Sequence, residues 1–185
     1  MADIERIRGL IRANPDFPKP GINFQDIFPV FQDPTAVESL ITHLVSHVTS
    51  TIKEKIDVVI GLDARGFLFG PIIALRLAAA FAPVRKKGKL PGEIVTVEYV
   101  KEYGVDVFEM EKDAVKPGQN VIVVDDLIAT GGSAAAAGKL VNLSGGKVLK
   151  YLFVIEAVEL NGAAVLNAPL YSVLKYEDSG LKYKG

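Results

Sequence analysis

Apolar residues recur along this chain with two different periods, and the changes between them lay out an alternation of helices and strands. After Pro34, residues Val37, Leu40, Ile41, Leu44, Val45, Val48 and Ile52 fall at three- and four-residue steps. This predicts an amphipathic helix capped by Asp33, with Pro34 at its first position. Residues 56–62 form a short β-branched apolar run, residues 71–80 are helical in character, and residues 82–84 suit another buried strand. Ile94, Thr96, Glu98 and Val100 alternate before Glu102-Tyr103-Gly104, as do Val105, Val107 and Glu109 after it. Residues 92–111 are therefore expected to form a hairpin polar enough to stand in solvent. Residues 120–124 read as a fully buried strand and 133–143 as a small-residue helix stopped by Gly145-Gly146. Residues 148–155 and 170–174 supply two more strands around a short helix at 163–166. Near the start, residues 1–13 have roughly helical spacing, and Pro15, Pro18, Pro20, Gly21, Pro29 and Pro34 crowd residues 15–34. That stretch is expected to wind over the surface as a cap without regular structure. No repeat or linker interrupts the pattern, so the expected fold is α/β: one domain with a mostly parallel central sheet flanked by helices.

Composition narrows the chemistry. With 185 residues and a net charge of −1, the chain fits one folded, soluble domain and offers no bulk positive field to a nucleic-acid backbone. It has no cysteine, which excludes disulfides, thiolate zinc sites and a cysteine nucleophile and fits a reducing compartment. The first residues lack the apolar core of a signal peptide, and the apolar stretch at 67–84 is broken by Gly70-Pro71 and Arg76. Neither secretion nor a membrane span is expected. His43 and His47 are four apart on one predicted helix, but no third ligand lies near them in sequence.

The most informative stretch is Val121-Ile122-Val123-Val124-Asp125-Asp126-Leu127-Ile128-Ala129-Thr130-Gly131-Gly132-Ser133. Four apolar residues deliver adjacent carboxylates to the end of a buried strand, and a Thr-Gly-Gly-Ser turn then opens a helix. Ligands of open α/β sheets sit beyond the carboxyl ends of the strands, where a helix N-terminus offers unpaired amides to a phosphate. The glycines admit close approach, and Thr130 and Ser133 carry donor hydroxyls. The carboxylates suit sugar hydroxyls or a developing positive charge. Neither a dinucleotide-binding Gly-x-Gly-x-x-Gly nor a P-loop lysine is present.

This stretch resembles the phosphoribosyl pyrophosphate (PRPP) motif of the type I phosphoribosyltransferases. Three further segments resemble the adenine-specific branch of that family: Asn14-Pro15-Asp16-Phe17-Pro18-Lys19-Pro20-Gly21-Ile22-Asn23-Phe24, Gly61-Leu62-Asp63-Ala64-Arg65-Gly66-Phe67-Leu68-Phe69-Gly70-Pro71, and Arg85-Lys86-Lys87-Gly88-Lys89-Leu90-Pro91-Gly92. The likeness runs from about Asp3 to Tyr176. It implies a cytoplasmic enzyme of purine salvage in which adenine N9 displaces pyrophosphate from C1′ of PRPP, giving AMP. Mg²⁺ is then held mainly by PRPP, with no dedicated protein cage. A homodimer is also implied, with no nucleic-acid or membrane partner.

The resemblance assigns roles residue by residue. Ala129, Thr130, Gly131, Gly132 and Ser133 would hold the 5′-phosphate, and Asp125 and Asp126 the ribose hydroxyls near an oxocarbenium-like centre. Asp63, Ala64, Arg65, Arg85, Lys86 and Lys89 would meet the pyrophosphate, Arg65 also counting as catalytic. A cis peptide between Asp63 and Ala64 is implied as well. Residues 1–34 would be the base-recognising cap, with Phe24 stacking on adenine, Asn23 and Gln25 reading its edge, and Leu127 and Ile128 closing the other face. Many relatives carry Arg at the position of Gln25, and a serine is common at that of Ala64. Residues 92–111 would be a flexible flap, with Glu102 exchanging a proton with the purine and Tyr103 packing over the site. The alternatives are a non-catalytic PRPP- or nucleotide-sensing regulator on the same fold and a 6-oxopurine phosphoribosyltransferase. Glu102→Gln is expected to lower turnover far more than PRPP affinity; steady-state kinetics showing equal losses in both would count against proton transfer.

Overall fold

The computed structural model describes residues 2–101 and 104–177. Its frame is a seven-stranded sheet of order β5-β6-β4-β3-β7-β8-β9. The strands are β3 (Val58–Leu62), β4 (Ala80–Lys86), β5 (Ile94–Lys101), β6 (Gly104–Glu111), β7 (Asn120–Ile128), β8 (Lys147–Ala157) and β9 (Leu170–Tyr176). The block from β4 to β9 is parallel, while β6 runs antiparallel to both β4 and β5. Val121 and Val123 of β7 enter one core with Tyr151 and Phe153 of β8. Ile122 and Val124 enter the opposite core with Leu152 and Val154. Burial on both faces explains the near-continuous apolar runs, because helices cover each side of a parallel sheet.

Helices α3 (Pro34–Thr51) and α4 (Gly66–Arg76) cover one face and α5 (Gly132–Leu143) the other. The cap on α3 is as expected: the Asp33 carboxylate accepts from the amides of Thr35 at 3.1 Å and Ala36 at 3.2 Å. Helix α4 starts at Gly66, before the residue 71 expected from periodicity, and encloses Pro71. The reason is close packing. A Cβ on Gly66 would lie 2.6 Å from the Val124 carbonyl oxygen, and one on Gly70 would lie 2.7 Å from the Phe81 ring. Two glycines thus let the helix, with Pro71 inside it, lie close against the sheet. The helix ends at Arg76, and a left-handed Ala78 turns the chain into β4, two residues ahead of the expected strand.

Two further expectations are corrected. The proline-rich stretch is not irregular: after α1 (Ala2–Leu10), strands β1 (Arg12–Pro15) and β2 (Asn23–Asp26) form a small antiparallel sheet, followed by α2 (Phe28–Phe31). Ile7, Ile27 and Val30 tie it into the α3 core. The β5–β6 hairpin does not simply stand in solvent, because its strands extend the main sheet and bury Tyr99, Phe108 and Met110. Its tip residues Glu102 and Tyr103 lie outside the described residues.

No helix among the described residues is long and apolar enough to cross a membrane. From the β3–β7 neighbour pair the two crossovers diverge, β3 through α4 to β4 on one side and β7 through α5 to β8 on the other. That is a topological switch point, where the strand ends open a crevice. Helix α5 is held at its position by Gly138, whose Cβ would overlap the buried Tyr151 hydroxyl. This hydroxyl donates to Asn167 Oδ1 at 2.6 Å. Gly138→Ala gains about 1 kcal/mol of helix propensity but incurs about 1–3 kcal/mol of overpacking. The net outcome expected is a lower melting temperature, measured by circular dichroism.

Candidate active site

Three segments leave the carboxyl ends of β3, β4 and β7 beside this crevice: residues 63–65, 87–92 and 129–131. Along β7 the side-chain alternation resets across the two acids. Val124 faces the α3 core, yet Leu127 packs on that same core and Ile128 on the opposite one. The reset falls at Asp125 and Asp126, near the carboxyl end of β7. Asp126 is 2 % exposed and Asp125 is half-buried. The Asp126 amide donates to Asp125 Oδ1 at 2.9 Å.

Arg65 connects this pair to the cap. Its Nε lies 2.8 Å from Asp126 Oδ2, and its guanidinium carbon lies 4.9 Å from the centre of the Phe24 ring, in the cation–π range. Phe17 meets Phe24 edge-on, with centroids 5.3 Å apart. Burial pushes the Asp125 carboxyl well above the usual carboxylate range, and the neighbouring Asp126 charge pushes it further. Burial also raises Asp126, with the Arg65 charge opposing the rise. Two adjacent carboxylates in one desolvated spot repel each other, and the cation relieves only one of them directly.

Downstream, Gly131 has φ of 82° and α5 begins at Gly132, so the first amides of this helix are aligned at the loop. A residue that the sequence pattern does not single out supports this loop from behind. A Cβ on Gly162 would overlap the Ala129 carbonyl oxygen, and one on Gly131 would overlap the Gly162 carbonyl. Nothing local marks Gly162, since the close approach joins segments from either side of β8. A cavity of about 630 Å³ borders the loop at Thr130 and Gly132, reaching Ala135 and Lys139 of α5 and Glu98 of β5. Phe24, Arg65, Asp125 and Asp126 do not line it.

The basic segment is ordered by specific bonds. Arg85 Nε donates to Asp63 Oδ2 at 2.9 Å, and Arg85 Nη1 donates to the Lys89 carbonyl at 3.1 Å. Lys86 Nζ lies 3.9 Å from Asp106 Oδ2. The Asp63–Ala64 peptide is cis. In the cap, Gln25 is 6 % exposed and its Nε2 donates to the Asn23 carbonyl at 3.3 Å. His43 pairs with Asp3 at 2.6 Å, whereas His47 stacks on Tyr171, so the two imidazoles do not converge. Among the described residues no group of three or more His, Asp or Glu could hold a metal ion.

Comparison with known proteins shows the family and the fold. The family described as phosphoribosyl transferase domain matches residues 31–174. An adenine phosphoribosyltransferase of Yarrowia lipolytica is 54 % identical over 93 % of this chain and 95 % of its own. The chain belongs to the adenine phosphoribosyltransferases. A Saccharomyces cerevisiae member, adenine phosphoribosyltransferase 1, is 50 % identical over 96 % of both chains. An S. cerevisiae crystal structure complexed with adenine and D-2,5-dideoxy-2,5-imino-altritol 1,6-bisphosphate superposes with a TM-score of 0.90. It is 46 % identical and covers 94 % of this chain and 99 % of its own. The Thermoanaerobacter pseudethanolicus structure gives a TM-score of 0.89 at 45 % identity, covering 94 % and 99 %.

The raised acid pair has a consequence for stability. A carboxyl whose folded pKa is elevated leaves the fold unpenalised below the ordinary carboxylate range, and the penalty grows as pH rises until the folded group ionises. Asp125→Asn removes that penalty. The variant is expected to melt higher than the native chain at about pH 8, with the gain fading towards about pH 4, and to turn over more slowly. Thermal melts across pH and an activity assay check the two halves separately.

Proposed function

We propose that this crevice transfers the 5-phosphoribosyl group of PRPP to N9 of adenine, releasing pyrophosphate and forming AMP. The observation that carries the reading is the acid pair at the end of β7, followed by the turn that opens α5, with Asp126 buried and linked through Arg65 to Phe24. The family is one of purine-salvage transferases. Ala129, Thr130, Gly131, Gly132 and Ser133 receive the 5′-phosphate through amides and hydroxyls. Asp125 and Asp126 accept from the ribose hydroxyls and stabilise positive charge at C1′ as its bond to the pyrophosphate oxygen breaks and the bond to N9 forms.

Arg65, Arg85, Lys86 and Lys89, with the Asp63–Ala64 backbone, grip the leaving pyrophosphate. As pyrophosphate draws the Arg65 guanidinium, Asp126 becomes available to the sugar. Phe24 stacks on the base, backbone groups at Asn23 and Gln25 read its edge, and Leu127 and Ile128 close the pocket. A backbone carbonyl aimed at the 6-position accepts from an amino group and is mismatched with a 6-oxo group. Glu102 takes up the N9 proton and Tyr103 covers the site, with residues 1–34 acting as the cap and 92–111 as the flap of a single domain.

Phosphoribosyltransferases of this family generally use PRPP as its Mg²⁺ complex. The donor set fits that use: the crevice offers two adjacent carboxylates, one already paired with Arg65, and Mg²⁺ needs no more than one or two when phosphates supply the rest. Asp125 is the residue that would help hold it, and the ion would supply charge neutralisation on the diphosphate. The working unit is a homodimer in the cytoplasm, and sedimentation is expected to give twice the 19.9 kDa chain mass.

Product formation from Mg–PRPP with adenine, hypoxanthine, guanine and orotate in turn tests the reading. AMP from adenine alone is the expected outcome. Comparable IMP or GMP formation overturns the assignment of the cap, and PRPP binding without any product points to a sensor instead.

A further inference from the structure

Glu109 is a carboxylate in β6 with no solvent exposure, and it has no role in the reaction described above. Its two oxygens are both engaged. Oε2 accepts from the Gly88 amide at 2.9 Å, and Oε1 accepts from the amides of Lys89 and Leu90, each at 2.7 Å. Burial pushes this carboxyl up, but the Gly88, Leu90 and Lys89 amides and the Arg85 charge more than offset it, so it stays below the usual carboxylate range. An acid buried against a basic, anion-binding segment weakens the local positive field, and a neutral acceptor could stabilise a loop without that cost. The oxygens are matched to the backbone of that segment, which has only donors to offer there.

The bonds continue beyond the clamp. The Lys89 amide donates to Glu109 while the Lys89 carbonyl accepts from Arg85 Nη1 at 3.1 Å, so Glu109 fixes one side of the residue that orients Arg85. Arg85 in turn donates to Asp63 at 2.9 Å, beside the Asp63–Ala64 peptide. Lys87 donates its amide to the Val107 carbonyl at 3.0 Å, and Glu109 lies directly opposite Arg85 in the β4–β6 register. Strand β6 is therefore a template on which the segment after β4 is laid. We infer that Glu109 is a positioning residue for the pyrophosphate grip, setting the backbone of residues 88–90 so that Arg85 and Lys89 converge with the loop after β3. This inference rests on the pyrophosphate role proposed above for the basic segment.

The test is direct binding to the purified full-length chain, with pyrophosphate and AMP titrated separately by calorimetry into the native protein, Glu109→Gln and Gly88→Pro. Glutamine keeps one acceptor oxygen and turns a donor towards the remaining amide. Gly88→Pro deletes the same bond from the other side, at an exposed position with φ of +79° and open space around it. Proline cannot hold that φ, so the segment is released at the surface while the Glu109 side chain itself is kept. In both variants pyrophosphate affinity is expected to fall about tenfold while AMP affinity stays within about twofold. A folded Glu109→Gln with native pyrophosphate affinity, or one losing both ligands in parallel, overturns the inference. Should Glu109→Gln fail to fold, Gly88→Pro decides in the same terms. A native chain that binds no pyrophosphate also overturns it. A native chain that binds pyrophosphate yet forms no AMP overturns the proposed reaction and leaves the positioning role standing.

Discussion

The ion pair between Arg65 and Asp126, 2.8 Å long and desolvated on the carboxylate side, is the contact through which the parts of the site are held together. Arg65 lies at the start of α4, Asp126 near the end of β7, and the same guanidinium lies over Phe24 of the cap. Three segments distant in sequence thus share one cation. Without it, Asp126 would be a buried charge beside a second acid, an arrangement that is strongly unfavourable unless a partner is supplied.

Close backbone approach makes that arrangement possible. Gly66 lets α4 come against the Val124 carbonyl, which brings Arg65 alongside the end of β7. Gly131 and Gly162 pack back to back behind the loop that opens α5. Side chains at these points would separate the elements by the width of a methyl group or more, and the ion pair and helix N-terminus would lose their register with the crevice. Close packing at these glycines sets how near the elements carrying the polar groups can lie.

The acid pair illustrates the balance between stability and chemistry. Burial raises both carboxyls, and only Asp126 has a direct cationic partner. Two largely apolar cores flank the strand that carries the pair. Glu109 shows the opposite solution, since an equally hidden carboxylate is satisfied by three amide donors and stays ionised. The acid pair is thus held in an electrostatically unfavourable position, while Glu109 is satisfied by backbone donors.

Much of this was legible from residue order. The 3.6-residue spacing after Pro34, the apolar run ending in Asp125-Asp126 and the glycine turn after it each act over a few neighbouring positions, so the helix, its Asp33 cap, the strand and the turn that opens α5 could be read locally. The resemblance carried by residues 14–24, 61–71 and 85–92 pointed to the adenine-specific branch of the family. The start of α4 at Gly66, the small sheet in the cap and the burial of the hairpin strands could not be read in the same way. Each is decided by packing between distant segments, which overrides local preference. The Gly162 backing, the Glu109 clamp and the Arg65 bridge depend on distances across the sheet. Sequence alone determined which chemical groups the chain carries and the order in which strands and helices alternate. Only tertiary structure decided which of those groups meet, because close packing and desolvation act between elements that local sequence does not place side by side.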